Sequence, residues 1–326
     1  MDPRTGGATW TPAMGRGGLV AAFVTAQTVA FAATVLAGRP TGYAVVAVAS
    51  AAALAAWADW GLFGVVAASA GTALLVVVGL PLLLFVAHQD PATVLEQARR
   101  PAVHRALYLA VYGPLLAALA SVGLGLPLAW VLERGFAGQQ VVESLVDLPL
   151  VVPHSVAGLV VLFGFGEGGA FPWVRVLGTT TGMVLALTFV SAPFAVNAAR
   201  EALEAVDDRL AYAARVHGAT RFETFRRVTA PLAARGIVTG GVLAWARSVS
   251  EFGAVAVVAY TVDVFYPFTG ETVRTQHAPV FVYNTFLSSG LRESGAVALL
   301  LLALSAGIFV LVRWVAYDTR DGGGLP

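Results

Sequence analysis

Long apolar segments recur along this chain, and they constrain its fold more than any other feature. Most of them are about 20 residues or longer, the length that a helix needs to cross the roughly 30 Å hydrocarbon core of a bilayer. Eight can be delimited, at about residues 19–37, 43–58, 62–87, 106–132, 148–166, 176–197, 237–260 and 291–316. With 58% hydrophobic and 12% charged residues, the chain carries more apolar surface than a soluble domain of this size can bury. The sequence therefore predicts an all-α polytopic membrane protein.

Composition excludes several other classes of protein. A net charge of +1 gives no reason to expect a basic face for nucleic acid. The chain has no cysteine, and its five histidines show no metal-ligand spacing. All 20 basic residues are arginine, whereas a phosphate-binding P-loop requires a lysine. We therefore expect no cofactor and no metal in this chain, and any ATP-driven work must come from another polypeptide.

The longest charged stretch lies between the sixth and seventh apolar segments, within residues 198–235. It holds seven arginines: Arg200, Arg209, Arg215, Arg221, Arg226, Arg227 and Arg235. If this stretch faces the cytoplasm, the cytoplasmic segments contain 12 arginines and the external segments seven. Cytoplasmic loops of membrane proteins are enriched in positive charge. The sequence thus predicts a cytoplasmic hairpin, fixed between two spans and suited to docking a soluble partner.

Local signals divide this hairpin (residues 198–235) into two short helices. Asp207 can cap the first, because its carboxylate can accept amide hydrogens of the first turn. Gly218 can end that helix in a left-handed conformation. Thr220 and Glu223 form a capping box that begins the second helix, and Pro231 is expected to stop it.

The spacing inside the hairpin resembles the signature of binding-protein-dependent ABC importer permeases. That signature is Glu-Ala-Ala, three residues, Gly, nine residues, Ile, one residue and Leu-Pro. Ala213-Ala214, Gly218 and Pro231 occupy matching places. Tyr212 stands where the signature has Glu, so any salt bridge that this Glu makes in the family is not expected here. The further departures are Val228 in place of Ile and Ala230 in place of Leu. The resemblance implies that eight residues couple the chain to an ATPase: Tyr212, Ala213, Ala214, His217, Gly218, Ala219, Thr220 and Pro231.

The same resemblance implies an architecture and a set of partners. It covers about residues 66–316 and looks like the six-span core of a type I importer permease. We therefore expect an N-terminal extension with about two spans at 1–60, a permease domain at 61–316 and a cytoplasmic tail at 317–326. The expected partners are an ABC ATPase that binds ATP and Mg, an extracytoplasmic solute-binding protein, a second copy of the chain and membrane lipid. Such a subunit, located in the cell membrane, is not itself an enzyme.

Two charges in the seventh apolar segment mark a candidate pathway. Arg247 and Glu251 are four residues apart and share one helical face, and charges at that depth are costly. Their surroundings, WARSVSEFGAV, resemble the R-x-x-x-E-F-G-A stretch of molybdate, tungstate and sulfate permeases. The pair is either an ion pair that packs helices together or part of an oxyanion path.

A second candidate lies in the fifth segment, where Pro149 and Pro153 interrupt the run Asp147–Gly158. It resembles the L-P-L-V-x-P-x-x-x-A-G segment of the same permeases. Each proline removes a backbone hydrogen bond, and broken helices in membranes are tolerated where they line a cavity or are covered by protein. A pore-lining gate and a simple packing kink both fit, and His154 is expected to be a satisfied polar side chain. The predicted pathway residues are Pro149, Pro153, Ser155, Arg247, Ser250, Glu251, Phe252 and Gly253.

The stretch from Ala278 to Tyr283 resembles the A-P-x-x-I-Y stretch of molybdate and tungstate permeases in particular. Those oxyanions are therefore the expected cargo, with sulfate or thiosulfate as the alternative. An ion-coupled secondary transporter would be expected to show inverted repeats, and none is visible. An intramembrane hydrolase would need a His and a Ser that converge, and the sequence lacks a Gly-x-Ser-x-Gly elbow.

Overall fold

The computed structural model describes residues 16–166 and 168–318, which form two units that divide between His88 and Gln89. Two expectations fall partly outside these residues. They are the N-terminal extension, of which residues 1–15 are not described, and the cytoplasmic tail, of which residues 319–326 are not described.

The N-terminal unit is built from α1 (Arg16–Leu36), α2 (Thr41–Trp57) and α3 (Gly61–Ala87). The chain turns tightly between α2 and α3, with positive φ angles of 56° at Asp59 and 67° at Gly61. Helix α3 continues through Pro81. A hydrogen bond of 2.9 Å from Gln27 Nε2 to Ser50 Oγ joins α1 to α2.

The second unit contains the remaining elements. In chain order they are α4 (Pro91–Ala98), α5 (Pro101–Glu133), α6 (Gln139–Val151), α7 (His154–Phe165), α8 (Thr180–Glu204), α9 (Asp208–Val216), α10 (Arg221–Thr224), a π turn (Phe225–Thr229), α11 (Ala230–Val249), α12 (Gly253–Val258), β1 (Val262–Tyr266), β2 (Glu271–Thr275), α13 (Ala278–Ser289) and α14 (Leu291–Asp318).

Each of the eight predicted apolar segments contains helix. By length and composition, five helices among the described residues could cross a membrane: Gly61–Ala87, Pro101–Glu133, Thr180–Glu204, Arg221–Val249 and Leu291–Val312. Three shorter apolar helices, Phe23–Leu36, Thr41–Trp57 and His154–Phe165, account for the others. The fold is therefore that of a polytopic helical membrane protein, as predicted.

Helices α5, α8 and α11 form the centre of the second unit and pack through small residues. On α11, Gly236 lies against Ala202 of α8, and Gly240 lies against Ala198. Ser121 and Ser191 share a buried hydrogen bond of 3.1 Å between α5 and α8. Small residues let helix backbones approach closely where lipid supplies no hydrophobic driving force.

Two of the predicted spans are not single helices. The segment at 148–166 is broken, because α6 ends at Val151, Val152 is extended with ψ 127°, and α7 begins only after Pro153. Proline disfavours helical backbone in the residue before it, which explains the position of this break. The segment at 237–260 is likewise broken, between α11 and α12, at residues 250–252.

The prediction that Pro231 stops the second hairpin helix is wrong. The chain continues through it, because Pro231 lies in the first turn of α11. The π turn precedes it, and the Ala230 amide donates to the Phe225 carbonyl five residues earlier. In a regular α-helix the ring of Pro231 would clash with the carbonyl four residues earlier. The wider π turn changes the backbone there, so that the helix can continue through the proline.

The segment between α12 and α13 contains a two-stranded antiparallel hairpin that the sequence did not predict. Its register pairs Val262 with Thr275 and Tyr266 with Glu271. Thr180 Oγ1 donates to the Asp263 carbonyl at 3.1 Å, so the strands are tied to the start of α8. The Tyr266 ring lies edge-on to Tyr108 of α5, with centroids 5.3 Å apart.

Helix α4 lies in the connection between α3 and α5. Asp90 caps it, accepting from the amides of Ala92 and Thr93. Its carboxylate also accepts from the Thr93 hydroxyl and from Arg292 of α14, and these hydrogen bonds lower the pKa of Asp90 to about 2. The carboxylate thus stays ionised and holds α4 to α14.

Candidate functional site

The first helix of the hairpin forms as predicted. Asp207 Oδ1 accepts the Arg209 amide at 2.9 Å, which caps the start of α9. At the other end Gly218 has a φ of +90°, and its amide donates to the Arg215 carbonyl at 3.0 Å. Only glycine adopts this backbone conformation at little cost. The direction in which the chain leaves α9 is therefore set by one residue.

The predicted capping box at the start of α10 is also present. The Glu223 amide donates to Thr220 Oγ1 at 3.2 Å, and the Thr220 amide donates to Glu223 Oε2 at 2.9 Å. Reciprocal bonds of this kind satisfy two otherwise unpaired donors. With Gly218 ending α9 and Thr220 capping α10, the connection between the two helices is short and closely defined.

Apolar side chains project from the hairpin into the surroundings. Tyr212 is 66% exposed, Val216 64% and Phe222 67%. Ala213 and His217 are exposed as well, whereas Ala214, Ala219 and the buried Thr224 face inward to a greater extent. Exposed apolar residues among arginines are typical of a surface that binds another protein.

The base of the hairpin is seated on the end of α5. The Phe225 ring lies edge-on to Trp130 with centroids 6.0 Å apart. On the same indole, the Arg134 guanidinium carbon lies 4.0 Å from the ring centroid. Such cation–π contacts contribute about 0.5–1 kcal/mol at exposed sites. Movement of the hairpin is therefore resisted at its base by a helix that runs through the centre of the unit.

The two interrupted spans, each of which holds pathway candidates predicted from the sequence, lie against each other. Gly158 of α7 faces α12, where a Cβ at this position would lie 2.8 Å from the Ala254 carbonyl oxygen and 2.8 Å from Val257 Cβ. Gly253 faces α7 in return, and a Cβ there would lie 2.8 Å from His154 Cβ and 3.0 Å from the Ser155 amide. The two interruptions are thus neighbours in space.

Glu251 connects the ends of these helices. It is 1% exposed, and its Oε1 accepts the Ala254 amide at 2.8 Å, which caps α12. Its Oε2 lies 2.7 Å from Arg247 Nη2 of α11 and 3.2 Å from His154 Nδ1 of α7. One buried carboxylate therefore contacts α7, α11 and α12, three of the four helices that end or begin at the two breaks.

His154 belongs to this cluster, although it was not among the predicted pathway residues. Its Nδ1 lies 2.7 Å from Arg247 Nη2, so the imidazole is a satisfied polar side chain, as expected, through a partner 93 residues away. A signal was present, because His154 directly follows the proline that breaks the segment. Its contact with Arg247 could not be read from local spacing.

The remaining pathway candidates differ in where they lie. Pro153, Ser155 and Ser250 are exposed in the single chain, and Phe252 is 37% exposed with its ring 5.1 Å from that of Tyr283 on α13. Pro149 is buried within α6. The break therefore offers polar and aromatic groups to its surroundings, while Pro149 contributes to its internal packing.

A further polar residue that the sequence analysis missed is His277, which precedes α13 between the last two spans. It is fully buried beside the Glu251 backbone, and burial lowers its pKa to about 4. It is therefore neutral near pH 7 and adds no charge behind the Arg247–Glu251 pair. Within residues 16–166 and 168–318, no group of three or more His, Asp or Glu side chains is arranged to hold a metal ion.

The contact between α7 and α12 leads to a prediction about stability. Replacing Gly158 with alanine places a methyl group against the α12 backbone, so we expect the free energy of unfolding to fall by about 1–3 kcal/mol. Gly164 is the matched control on the same helix, because a Cβ there meets nothing within 4 Å. Thermal unfolding of the purified variants measures both effects. Equal behaviour of the two alanine variants would contradict the close packing.

Comparison with known proteins adds independent information. Residues 121–319 match the family described as binding-protein-dependent transport system inner membrane component. Over 251 residues the chain is 36% identical to the molybdate/tungstate transport system permease protein WtpB of Pyrococcus abyssi (strain GE5 / Orsay), covering 76% of this chain and 93% of that protein. It is also 36% identical over 219 residues to the molybdenum transport system permease protein ModB of Escherichia coli (strain K12), covering 64% of this chain and 91% of that protein.

A solved structure shows the same fold. It is the crystal structure of a bacterial ABC transporter involved in the import of the acidic polysaccharide alginate, with a TM-score of 0.61. The match covers 81% of this chain and 97% of that one at 18% sequence identity, so the likeness concerns the fold alone.

Proposed function

The chain belongs to the family of binding-protein-dependent transport system inner membrane components, and from this premise we propose that it is the subunit through which molybdate or tungstate enters the cell. It is a multi-pass protein of the cell membrane with the fold of type I ABC importer permeases. Relatives whose own length is more than nine-tenths matched carry molybdate, tungstate or molybdenum in their names. This favours those anions over sulfate.

The observation that carries the proposal is the hairpin, capped at both of its helices and presenting Tyr212, Val216 and Phe222 outward. In the proposed transporter an ATPase with bound ATP and Mg grips this surface from the cytoplasm. The family residues Ala213, Ala214 and Gly218 shape the surface. Because this chain has no lysine for a P-loop, hydrolysis belongs to that partner, and the chain itself catalyses no reaction.

The wider assembly is part of the same proposal. Two copies of the chain enclose the pathway, and an extracytoplasmic binding protein delivers the anion. Residues 61–316 form the permease domain, with the hairpin 198–235 as its coupling element, and residues 1–60 are an addition to it. About a quarter of this chain lies outside the alignment with WtpB, although 93% of that protein is matched, which supports an addition.

Arg247 is the residue we propose to serve the anion. Among the described residues its contacts run through Nη2, to Glu251 and to His154. Its Nε and Nη1 therefore keep N–H donors for a further acceptor, and a guanidinium suits oxyanions through paired donors. Pro153, Ser155, Ser250, Phe252 and Gly253 complete the lining around the break, and Pro149 supports its bend. Glu251 offsets the positive charge, so the anion is held weakly enough to be released.

Reconstitution tests the proposed function directly. We expect proteoliposomes that contain this chain, its ATPase and the binding protein to take up radiolabelled tungstate only when ATP is supplied. The purified chain alone should hydrolyse no nucleotide. Sulfate in tenfold excess should compete weakly. Uptake that continues without the ATPase would overturn the proposal, and equal competition by sulfate would reassign the cargo.

Gly218 is expected to be essential for coupling. A valine there must adopt a positive φ, at a cost of roughly 1–2 kcal/mol, or change the direction of the chain after α9. We expect Gly218→Val to insert into membranes normally and to lower uptake per ATP hydrolysed. Asparagine tolerates this conformation better, so Gly218→Asn is the matched control and should retain more coupling. Unchanged uptake in the valine variant would count against the role of the hairpin.

Arg247 distinguishes an anion pathway from a structural ion pair. Leucine at this position leaves Glu251 buried without its cation, which costs about 3–5 kcal/mol if the pair is only structural. The double variant Arg247→Leu with Glu251→Gln removes both charges. We expect it to be recovered as folded protein but to remain inactive in tungstate uptake. Restored uptake in the double variant would show that the pair serves packing alone.

A further inference from the structure

Helix α6 turns a polar face towards α8. Gln139, Glu143 and Asp147 follow one another at intervals of four along α6, so they lie near one side of the helix. Asn197 and Arg200 lie one turn apart on α8. None of these side chains belongs to the polar cluster around Glu251, and none belongs to the outward surface of the hairpin.

The polar faces of the two helices are joined at two levels. Asn197 Nδ2 donates to Asp147 Oδ1 at 2.7 Å. About one turn away, Arg200 Nη1 donates to Glu143 Oε1, which also accepts from Gln139 Nε2 at 2.7 Å. The pairs run in opposite directions along the two helices, 143 with 200 and 147 with 197, so α6 and α8 are antiparallel here.

Apolar packing supports the same contact. Val142 and Val146 of α6 are half-buried against a cluster that includes Val196, Ala199 and Leu203. Contacts among small aliphatic side chains tolerate sliding, because many registers bury similar area. Two hydrogen-bonded pairs one turn apart permit only one register. The polar contacts therefore define where α6 sits along α8.

The position of α6 matters because of what lies at the ends of the two helices. Helix α8 ends at Glu204, three residues before Asp207, which caps the first short helix of the hairpin, and Arg200 Nε lies 3.3 Å from Glu204 Oε1. Helix α6 ends at Val151, directly before the break at Val152 and Pro153. The α6–α8 contact is thus a short structural connection between the hairpin and the break.

We propose that Glu143, Asp147, Asn197 and Arg200 form an interhelical clamp that makes α6 move as one body with the hairpin end of α8. The proposal rests on the proposed function, because it describes how movement of the hairpin reaches the pathway. These four are positioning residues, which touch neither the anion nor the ATPase. The side chains of Arg200 and Glu143 are 27% and 29% exposed, so water screens this ion pair only in part. We expect the clamp to matter more for coupling than for folding.

A near-isosteric swap tests the clamp. Asn197→Asp places two carboxylates face to face, whereas Asn197→Asp combined with Asp147→Asn restores the hydrogen bond in reverse. In proteoliposomes with ATPase and binding protein, we expect the single variant to lower tungstate imported per ATP hydrolysed about fivefold or more. The double variant should return to the wild-type ratio. Arg100→Glu, which disrupts the exposed Glu96–Arg100 pair, is the control and should leave the ratio unchanged.

The distance between α6 and α8, measured with and without nucleotide, tests directly whether the two helices move together. The chain has no cysteine, so spin labels can be placed at cysteines introduced at the exposed positions Gln140 on α6 and Glu201 on α8. We expect the same label–label distance with and without trapped nucleotide in the wild type, and a broadened or shifted distribution in Asn197→Asp. If that variant does not fold, Asn197→Ala replaces it in both measurements.

The outcomes separate the clamp from the proposed function. A wild-type assembly that imports no oxyanion would overturn the function itself. If the wild type transports, then an unchanged ratio in Asn197→Asp overturns the clamp, and so does failure of the double variant to restore it. A nucleotide-dependent change in the Gln140–Glu201 distance in the wild type would also overturn it, because the two helices would then move separately.

Discussion

Hydrocarbon offers no hydrogen-bond partners to a polypeptide, and this constraint governs every interruption in the helices of this permease. Each break exposes backbone amides and carbonyls that water cannot satisfy inside a bilayer. At the end of α11 the chain meets this requirement with Glu251, whose carboxylate takes an amide of α12 and the guanidinium of Arg247. Gly158 and Gly253 then let α7 and α12 cover each other. The breaks are tolerated because this contact covers part of the interrupted backbone, while Pro153, Ser155 and Ser250 stay exposed in the single chain.

The hairpin, in contrast to the breaks, is an exposed and charged segment. It is rich in arginine and locally determined, with Asp207, Gly218 and the Thr220–Glu223 box fixing its helices over a few residues. Its base is held by Phe225 on Trp130 of α5. An exposed contact area on a rigid base suits the coupling role that we propose for this surface. Together with the α6–α8 contact, it gives a continuous chain of packed residues from the outward face of the hairpin to the interrupted helices.

Features of the fold and of the site that depend on neighbours in the sequence could be predicted, whereas those that depend on distant contacts could not. Hydropathy located the eight apolar segments because span length depends only on bilayer thickness, and the caps of α9 and α10 depend on neighbours within three or four residues. The prediction for Pro231 was wrong because a π turn, which has no simple sequence signature, accommodates the ring. The meeting of His154 with Arg247 joins residues 93 apart, and the burial of His277 depends on packing from other elements. The β1–β2 hairpin was missed because two five-residue strands in a connecting segment resemble any short loop of mixed polarity.

The π turn between α10 and α11 has a consequence for the whole second half of the permease. A turn of this kind holds one residue more than an α turn, so it sets the angular phase of everything that follows. Were it to tighten to α geometry with its sequence unchanged, α11 would rotate by about 100° about its axis relative to the hairpin. Gly236 and Gly240 would then face away from Ala202 and Ala198, and bulkier side chains would meet α8 in their place. The rotation of α11 about its axis is therefore set by the five residues Phe225–Thr229. It is maintained at one end by the contact of Phe225 with Trp130 and at the other by the packing of Gly236 and Gly240 against α8.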